Sequence, residues 1–498
     1  MPSRSSLLRW STPAALTAGL LLRLLFLLHH PRWVGDTQVY ADLAQNLLAH
    51  HVYGFSDASL QPTLIRLPGY PLFLAACFAL FGHANDLAVA CVQIALDLFG
   101  CVLLGRLAAR LYSPRAGHFA LWLAALCPFT ANYTAAILTE TVSIFCVTLA
   151  LFALERWSNA YQVGQGTDPS CAHPQSLSFR PERSAAEKPP HFARSAESAS
   201  TSPLWPLTLG FALSLAVLVR PDQGLLAAAL IPAMLWRAFT TPHRSLRSRL
   251  QPALLASLVV ALPLLLWGVR NWRVFHVIQP LAPRYANDPG ETVAFGFQRW
   301  YCTWGVEFQS TYDTYWAYDG APLDLAALPN RAFDSPQQRA ATAALIDRYN
   351  VQQSPTPDID AAFAQLAAAR IAAHPLRYYV ELPLARLANM WLRPRTELLR
   401  IPIVWWTFAD PAGSAFALFF ALVNAAYLAL ALAGLLRSRG SDRALLVAML
   451  AFVALRCALL LTLDNSEPRY TLECFPILFL LSSPLASPRP RNLNTTNH

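Results

Sequence analysis

Six charged side chains, at or near the ends of long apolar runs, could do chemistry together in this chain. They are two carboxylates and four guanidinium groups: Asp36, Glu140, Arg66, Arg220, Arg270 and Arg469. A carboxylate can accept the proton of an attacking hydroxyl group. Arginines hold a phosphate group and offset the charge that develops on a leaving group. These residue types indicate group transfer from a phosphate-bearing lipid, with the two acids as catalytic residues and the arginines as phosphate ligands.

The composition indicates the surroundings in which these residues must work. Of the 498 residues, 55% are hydrophobic and only 13% are charged, whereas soluble domains carry about 25% charged residues. A soluble fold could not hide so much apolar surface, so the repeated apolar runs predict an integral membrane protein in contact with membrane lipids. The net charge of +9 does not indicate a nucleic-acid partner, because the arginines cluster beside apolar runs, as the positive-inside rule expects.

The apolar runs and the arginines beside them predict an all-α polytopic protein with about 10 to 12 spans and both termini in the cytoplasm. Ten spans satisfy the charge bias: residues 12–29, 87–108, 117–134, 136–155, 204–219, 223–236, 250–269, 413–436, 444–463 and 470–486. With this topology the candidate acids and arginines all lie at the outer ends of spans. One face of the membrane is therefore predicted to carry the site.

The first outer loop, residues 30–86, carries Asp36 and Arg66. Residues 37–49 place their apolar side chains on one face, which predicts a short amphipathic helix on the membrane surface. The apolar run at residues 68–82 is short for a span, and a crossing there would put the arginines after the next span on the wrong side. It is therefore predicted to be a second surface or re-entrant helix.

The predicted spans and the polar stretches between them divide the chain into five parts. These are an N-terminal membrane module with the catalytic loop (1–156), a disordered cytoplasmic linker (157–203), a continuation of the membrane module (204–269), an outer soluble and interfacial segment (270–411), and C-terminal spans with a basic tail (412–498). We call residues 270–411 the large polar segment. It is the one long polar stretch that the topology places outside.

Two helices are predicted within the large polar segment. Ser335 is a suitable cap for a helix over about 335–349, and His374, which is followed by proline, ends another over about 358–373. Residues 376–408 are amphipathic and rich in tryptophan, which favours the membrane interface. A helical hairpin is the alternative for this last stretch.

Each candidate also has a structural interpretation. Asp36 could cap the helix that follows it, and Arg66 could be an interfacial anchor that reaches lipid headgroups. Glu140 could form an ion pair at the end of a span, and Glu467 is expected to pair with an arginine. No metal or other cofactor is expected, because a divalent cation at Asp36 would need several oxygen ligands and the sequence shows no dense carboxylate cluster there.

Arg23 and Asp97 are charged residues inside apolar runs rather than at their ends. Charges within the bilayer are costly and usually pair with one another. Each is therefore expected to form a buried pair between helices.

Four motifs carry a resemblance to a known family. They are Gly35-Asp36-Thr37-Gln38-Val39-Tyr40, Arg66-Leu67-Pro68-Gly69-Tyr70-Pro71, Cys127-Pro128 with Leu138-Thr139-Glu140, and Glu467-Pro468-Arg469-Tyr470. Their order and spacing resemble those of polyprenyl-phosphate-sugar-dependent glycosyltransferases of the GT-C fold. The similarity is greatest to the bacterial branch related to protein O-mannosyltransferases and to the lipid A aminoarabinose transferase.

The resemblance implies a GT-C hexosyl- or pentosyltransferase in the bacterial inner membrane. A sugar would move from a polyprenyl-phosphate donor to a glycan, lipid or protein acceptor on the periplasmic face, with inversion. Asp36 would be the base, supported by Tyr40, Tyr70 and Glu467. The sequence departs from the family in two places: many relatives have two adjacent acids where Asp36 is followed by Thr37, and several use lysine where Arg66 stands. Arginine can bind the phosphate through its bidentate fork.

Two other functions remain open. A secondary transporter or lipid flippase would show internal repeats and broken helices around charges at the membrane midplane, but the sequence shows no convincing repeat and its candidate charges lie at span ends. A non-catalytic subunit of an envelope-assembly complex is compatible with the lone acid before Thr37.

Overall fold

The computed structural model describes residues 4–29, 32–56, 59–163, 202–242, 245–438 and 442–487. Most of the predicted linker, residues 164–201, and the end of the basic tail, residues 488–498, lie outside these described ranges.

The elements before the linker surround the predicted catalytic loop. They are α1 (Arg4–His29), α2 (Thr37–His50), β1 (Gly54–Ser56), β2 (Leu60–Pro62), α3 (Gly69–Phe81), α4 (Asp86–Leu111), α5 (Pro114–Ala125), α6 (Pro128–Tyr133) and α7 (Glu140–Val163). The two short helices predicted in the loop are present as α2 and α3. Between them β1 and β2 form an antiparallel hairpin with Phe55 opposite Gln61, which the sequence analysis did not predict.

The elements after the linker alternate between long apolar helices and the shorter ones of the large polar segment. They are α8 (Leu204–Val219), α9 (Gly224–Thr240), α10 (Leu246–Phe275), α11 (Phe295–Cys302), α12 (Phe308–Ser310), α13 (Pro336–Gln352), α14 (Pro357–Ala373), α15 (Leu382–Leu392), α16 (Pro411–Arg437), α17 (Arg443–Leu460) and α18 (Phe475–Ser482). Short 3-10 helices at Pro221–Gln223 and Pro468–Cys474 precede α9 and α18.

The helices predicted in the large polar segment are confirmed as α13 and α14. The Ser335 hydroxyl accepts a hydrogen bond from the Gln338 amide at 3.1 Å, so it caps α13 as expected. Residues 376–408 hold a π-helical turn (Arg377–Glu381) that runs directly into α15, then irregular chain with one short 3-10 turn, so they do not form a helical hairpin. The segment has its own core, in which Trp300, Tyr301 and Phe363 are buried.

Seven helices in the described ranges are long and apolar enough to cross a membrane: Ser11–His29, Asp86–Leu111, Glu140–Gln162, Pro221–Thr240, Leu246–Phe275, Pro411–Arg437 and Arg443–Leu460. The chain is thus an integral membrane protein made mostly of helices. Two of the ten predicted spans are not single helices. Residues 117–134 divide into α5 and α6, because Pro128 has no amide proton to continue α5. Residues 470–486 combine 3-10 turns with the short α18.

The predicted linker also begins later than residue 157. Helix α7 continues to Val163, and the rings of Trp157 and Tyr161 lie 4.9 Å apart. Both side chains are buried in the main core. Burying two large aromatic side chains favours extension of the helix, so residues 157–163 belong to the membrane module.

Arg23 of α1 and Asp97 of α4 form the buried pair expected for charges inside apolar runs. The Arg23 Nε donates to Asp97 Oδ2 at 2.7 Å, and Nη1 donates to the carbonyl oxygens of Gly19 and Ala125 at 2.8 and 2.7 Å. Arg23 is completely buried. The pair fastens the first span to the fourth helix and to the end of α5.

Removing one member of this pair should destabilise the protein more than removing both. Asp97→Leu leaves a buried guanidinium without its carboxylate, and we expect a loss of about 3–5 kcal/mol in unfolding free energy. The double variant Arg23→Leu with Asp97→Leu should recover most of that loss. Unfolding of the purified protein in denaturing detergent measures both, and equal stability of the single and double variants would contradict the pairing.

Candidate active site

The candidate residues gather at one end of the helix bundle. Helices α1, α8 and α17 end there, and α7 and α9 begin there. Glu140 is the first residue of α7, and Arg220 directly follows α8. Contacts between charged groups link all but one of the six candidates and add the supporting acid: Asp36, Arg66, Glu140, Arg220, Glu467 and Arg469.

The Asp36 carboxylate lies between two guanidinium groups. Its Oδ1 is 3.2 Å from Arg66 Nη2, and its Oδ2 is 3.8 Å from Arg469 Nη2. The side chains of Asp36, Arg66 and Arg469 are 34%, 24% and 17% exposed. They are the most exposed of the six linked residues, and we call these three residues the open triad.

The electrostatic surroundings keep Asp36 ionised. Burial alone would raise the pKa of this carboxyl, but the guanidinium groups of Arg469 and Arg66 outweigh it and hold the pKa below the ordinary value of 3.8. Asp36 directly precedes α2, yet its side chain makes no capping hydrogen bond to that helix. Its charge is directed to the two arginines rather than to the helix end.

Arg469 connects the open triad to two further acids. Its Nη1 is 3.8 Å from Glu140 Oε1, and its Nε is 2.5 Å from Glu467 Oε2. Glu467 also accepts a hydrogen bond from the Tyr470 hydroxyl at 2.5 Å. Glu467 therefore pairs with an arginine, as the sequence analysis expected, and orients it toward Asp36.

Arg220 lies deeper, where every nitrogen of its guanidinium faces a carboxylate. The distances are 3.0 Å from Nη1 to Glu140, 3.3 Å from Nη2 to Asp222 and 3.2 Å from Nε to Glu473. The fully buried Arg456 closes a ring by contacting the same Asp222 and Glu473 at 2.8 and 2.9 Å. Arg220 thus has few donors left for a ligand, and its clearest role is to fix Glu140.

Glu140 keeps one oxygen available. Its Oε1 is shared by Arg220 and Arg469, whereas Oε2 is buried and has no hydrogen-bond partner among the described residues. A buried carboxylate oxygen left in this state is costly unless something binds it. Glu140 therefore has a free acceptor beside the open triad.

Arg456 and Glu473 were not candidates in the sequence analysis. Arg456 lies inside the apolar run of α17, and an arginine in such a run is a signal of a buried partner or a functional site. Glu473 follows the Glu467–Tyr470 motif within the next turn of chain. The arginine could therefore have been found from the sequence, but its partners could not.

Arg270 is the predicted phosphate ligand that the structure places outside the cluster. Its Nη1 donates to the Thr63 carbonyl at 2.8 Å and its Nη2 to the Tyr53 carbonyl at 3.0 Å. Its guanidinium also lies 4.9 Å from the centre of the Trp267 ring. These contacts hold the chain on either side of the β-hairpin, close to Arg66.

The two supporting tyrosines pack together beneath Asp36. The rings of Tyr40 and Tyr70 meet edge to face with centroids 5.1 Å apart, and the Tyr70 hydroxyl donates to Gln93 at 2.9 Å. Burial, assisted by the negative charge of Asp36, raises the pKa of Tyr40 to about 12. The ring contact holds α2 against α3, and the hydroxyl of Tyr70 joins α3 to α4.

The described ranges contain no group of three or more His, Cys, Asp or Glu side chains that could hold a metal ion. The acids of the cluster are instead interleaved with arginines. The absence of a metal cofactor remains a prediction from the sequence.

Comparison with protein families gives a match to the dolichyl-phosphate-mannose-protein mannosyltransferase family over residues 62–166. This confirms the resemblance within that stretch. The matched stretch includes Arg66, Tyr70 and Glu140, whereas Asp36, Arg220 and Arg469 lie outside it. No curated protein matches the sequence.

Solved structures of membrane glycosyltransferases are similar at low identity. The oligosaccharyltransferase of Archaeoglobus fulgidus in complex with zinc and sulfate is 13% identical with a TM-score of 0.47, and the alignment covers 96% of this chain and 48% of that one. ArnT from Cupriavidus metallidurans bound to undecaprenyl phosphate is 15% identical with a TM-score of 0.38, and covers 97% and 78%. This chain spans about half the length of the archaeal enzyme.

Proposed function

We propose that this protein is a glycosyltransferase that moves a sugar from a polyprenyl-phosphate donor to an acceptor hydroxyl. The observation that carries the proposal is the open triad: one accessible carboxylate held between two accessible guanidinium groups. This is the combination that deprotonation of an alcohol and departure of a phosphate require. The family match over residues 62–166 supports the same reaction class.

In the proposed reaction the acceptor oxygen attacks the anomeric carbon of the donor sugar as the bond from that carbon to the phosphate oxygen breaks. Asp36 takes the hydroxyl proton, and the electron pair of the broken bond leaves with the polyprenyl phosphate. Arg66 and Arg469 bind the phosphate in the ground state and stabilise its added charge in the transition state. A single displacement of this kind inverts the anomeric configuration.

Donor binding would also make Asp36 a better base. In the free protein, Arg66 and Arg469 lower the pKa of the Asp36 carboxyl. A phosphate that engages both guanidinium groups offsets their positive charge and adds a negative charge nearby, and both changes raise a carboxyl pKa. The base would thus gain proton affinity only when the donor is in place.

Glu140 is proposed to act beside this step rather than as the base. Its Oε1 is held by Arg220 and Arg469. Its Oε2 is buried without a hydrogen-bond partner among the described residues, and a sugar or acceptor hydroxyl that entered beside it would supply that partner. Such a bond would satisfy the buried oxygen and orient the reacting group. The contact with Arg220 holds Glu140 in place for that purpose.

Reconstitution of the purified protein into liposomes tests the proposed function. We expect radiolabelled sugar on a polyprenyl-phosphate donor to appear in a glycan, glycolipid or protein acceptor from a bacterial envelope fraction. The anomeric configuration of the product, determined by NMR, should be opposite to that of the donor. Label that crosses the bilayer without transfer would indicate a transporter or flippase instead, and no change in the label would favour a non-catalytic subunit.

The proposed site faces the periplasm, with both termini in the cytoplasm of a bacterial inner-membrane protein. The positive-inside rule supports this orientation, because the arginine-rich ends of the spans lie opposite the open triad. At that opposite end, Arg110 pairs with Glu155 at 2.8 Å and Arg237 with Asp442 at 2.6 Å.

A further inference from the structure

The two arginines of the open triad reach Asp36 on separate arms of the chain. Arg66 follows the β-hairpin in the stretch between α2 and α3, which we call the first arm. Arg469 lies in the stretch between α17 and α18, which we call the second arm. The two arms are about four hundred residues apart in sequence, yet their guanidinium groups contact the two oxygens of one carboxylate. The spacing of the two arginines therefore depends on what holds each arm in place.

The large polar segment contacts the first arm directly. Asp288 Oδ1 accepts a hydrogen bond from the Leu64 amide at 2.8 Å, two residues before Arg66. From the end of α10, at the beginning of the same segment, Arg270 donates to the carbonyl oxygens of Tyr53 and Thr63. The first arm is thus held by an acceptor, the Asp288 carboxylate, and by a donor, the Arg270 guanidinium.

The large polar segment contacts the second arm just before Glu467. The Thr311 hydroxyl accepts a hydrogen bond from the Ser466 amide at 3.1 Å, and the Ser466 hydroxyl donates to Asn389 at 3.2 Å. Both Thr311 and Ser466 are completely buried. Nearby, the Cys302 thiol donates to Asp464 at 3.4 Å. This arm is therefore held by hydrogen bonds from three residues of the large polar segment, Thr311, Asn389 and Cys302.

We infer that the large polar segment sets the distance between Arg66 and Arg469, with Asp288 and Thr311 as the positioning residues for the two arms. The inference rests on the proposed function, because it concerns the phosphate that the open triad would hold. A phosphate bound by two guanidinium groups is sensitive to their separation, and small displacements of binding groups have large effects on affinity and rate. Neither positioning residue needs to touch the phosphate.

Matched substitutions can remove each contact with little change in shape. Thr311→Val removes the hydroxyl that accepts from Ser466 and that is also hydrogen-bonded to the Tyr301 hydroxyl at 3.1 Å, whereas Thr311→Ser keeps it. Asp288→Ala removes the acceptor for Leu64, whereas Asp288→Asn keeps an oxygen in the same place. We expect the valine and alanine variants to bind farnesyl phosphate, used as a soluble analogue of the polyprenyl-phosphate part of the donor, about ten- to a hundredfold more weakly than wild type. The serine and asparagine variants should bind almost normally.

Hydrogen exchange in the same full-length, detergent-solubilised proteins gives a second measurement. Faster exchange is expected over residues 461–470 in Thr311→Val and over residues 53–67 in Asp288→Ala, with little change elsewhere. Weaker binding without change in these peptides, or altered peptides with unchanged affinity, would overturn the inference. If the wild-type protein does not bind farnesyl phosphate, the proposed function is contradicted. The exchange data would still show whether the large polar segment holds both arms.

Discussion

Asp36→Asn should reduce sugar transfer by a factor of about 10² to 10⁴ without weakening donor binding. The amide keeps the size of the carboxylate and one acceptor oxygen between Arg66 and Arg469, but it cannot take a proton. Turnover with a radiolabelled donor measures the loss, and binding of farnesyl phosphate measures the retained affinity. Near-normal turnover in this variant would exclude Asp36 as the base.

The pH dependence provides an independent signature of the same residue. Because the pKa of Asp36 lies below 3.8 in the free protein, its carboxylate is ionised above that pH and protonates only as the pH falls further. The acid limb of kcat/KM that belongs to Asp36 should therefore lie below pH 3.8 and should be absent from Asp36→Asn. Asp42→Asn is the matched control, since Asp42 lies on α2 and is hydrogen-bonded to Gln38 away from the arginines.

Arg66→Met should lower kcat/KM for the donor by about 10² to 10³, because it removes one of two donors aimed at the phosphate. Arg66 is a cleaner choice than Arg469, whose removal would leave the buried Glu140 and Glu467 without their shared cation. Arg66→Lys should fall between wild type and Arg66→Met, since lysine keeps the charge but not the paired donors of the guanidinium.

A control for total charge is available near the end of α10. Arg273 is exposed and has no contact with the open triad, so Arg273→Met loses the same charge without loss of a proposed ligand. Its kcat/KM should remain within about twofold of wild type, as for most surface substitutions. If Arg66→Met and Arg273→Met behave alike, Arg66 is not a phosphate ligand but an interfacial anchor.

The clustering of the candidate residues could be predicted from sequence because membrane topology constrains charged residues strongly. Asp36, Glu140 and Arg469 are far apart in the chain. Each lies at the predicted outer end of an apolar run, and these outer ends must meet at one face of the membrane. The helices of the large polar segment were equally predictable, since Ser335 and His374 mark their limits by local chemistry.

What the sequence could not supply was the assignment of each arginine to a partner. Arg220 and Arg270 both follow apolar runs, yet one lies within a ring of acids and the other donates to carbonyl oxygens beside a hairpin that no alternating pattern indicated. Arg456 stands out as a charge inside an apolar run, but its pairing with Asp222 and Glu473 does not. Side-chain partners depend on tertiary contacts across hundreds of residues, and local patterns carry no record of them.

The pair between Arg23 and Asp97 has a consequence for biosynthesis. The first span is synthesised before Asp97, the partner of its buried Arg23, which lies 74 residues further along the chain. An arginine near the middle of an isolated span costs about 2.5–3.5 kcal/mol on insertion. The first span is therefore unsuited to leave the insertion machinery alone, and its release into the lipid is expected to wait until α4 has been made and the two helices can depart together.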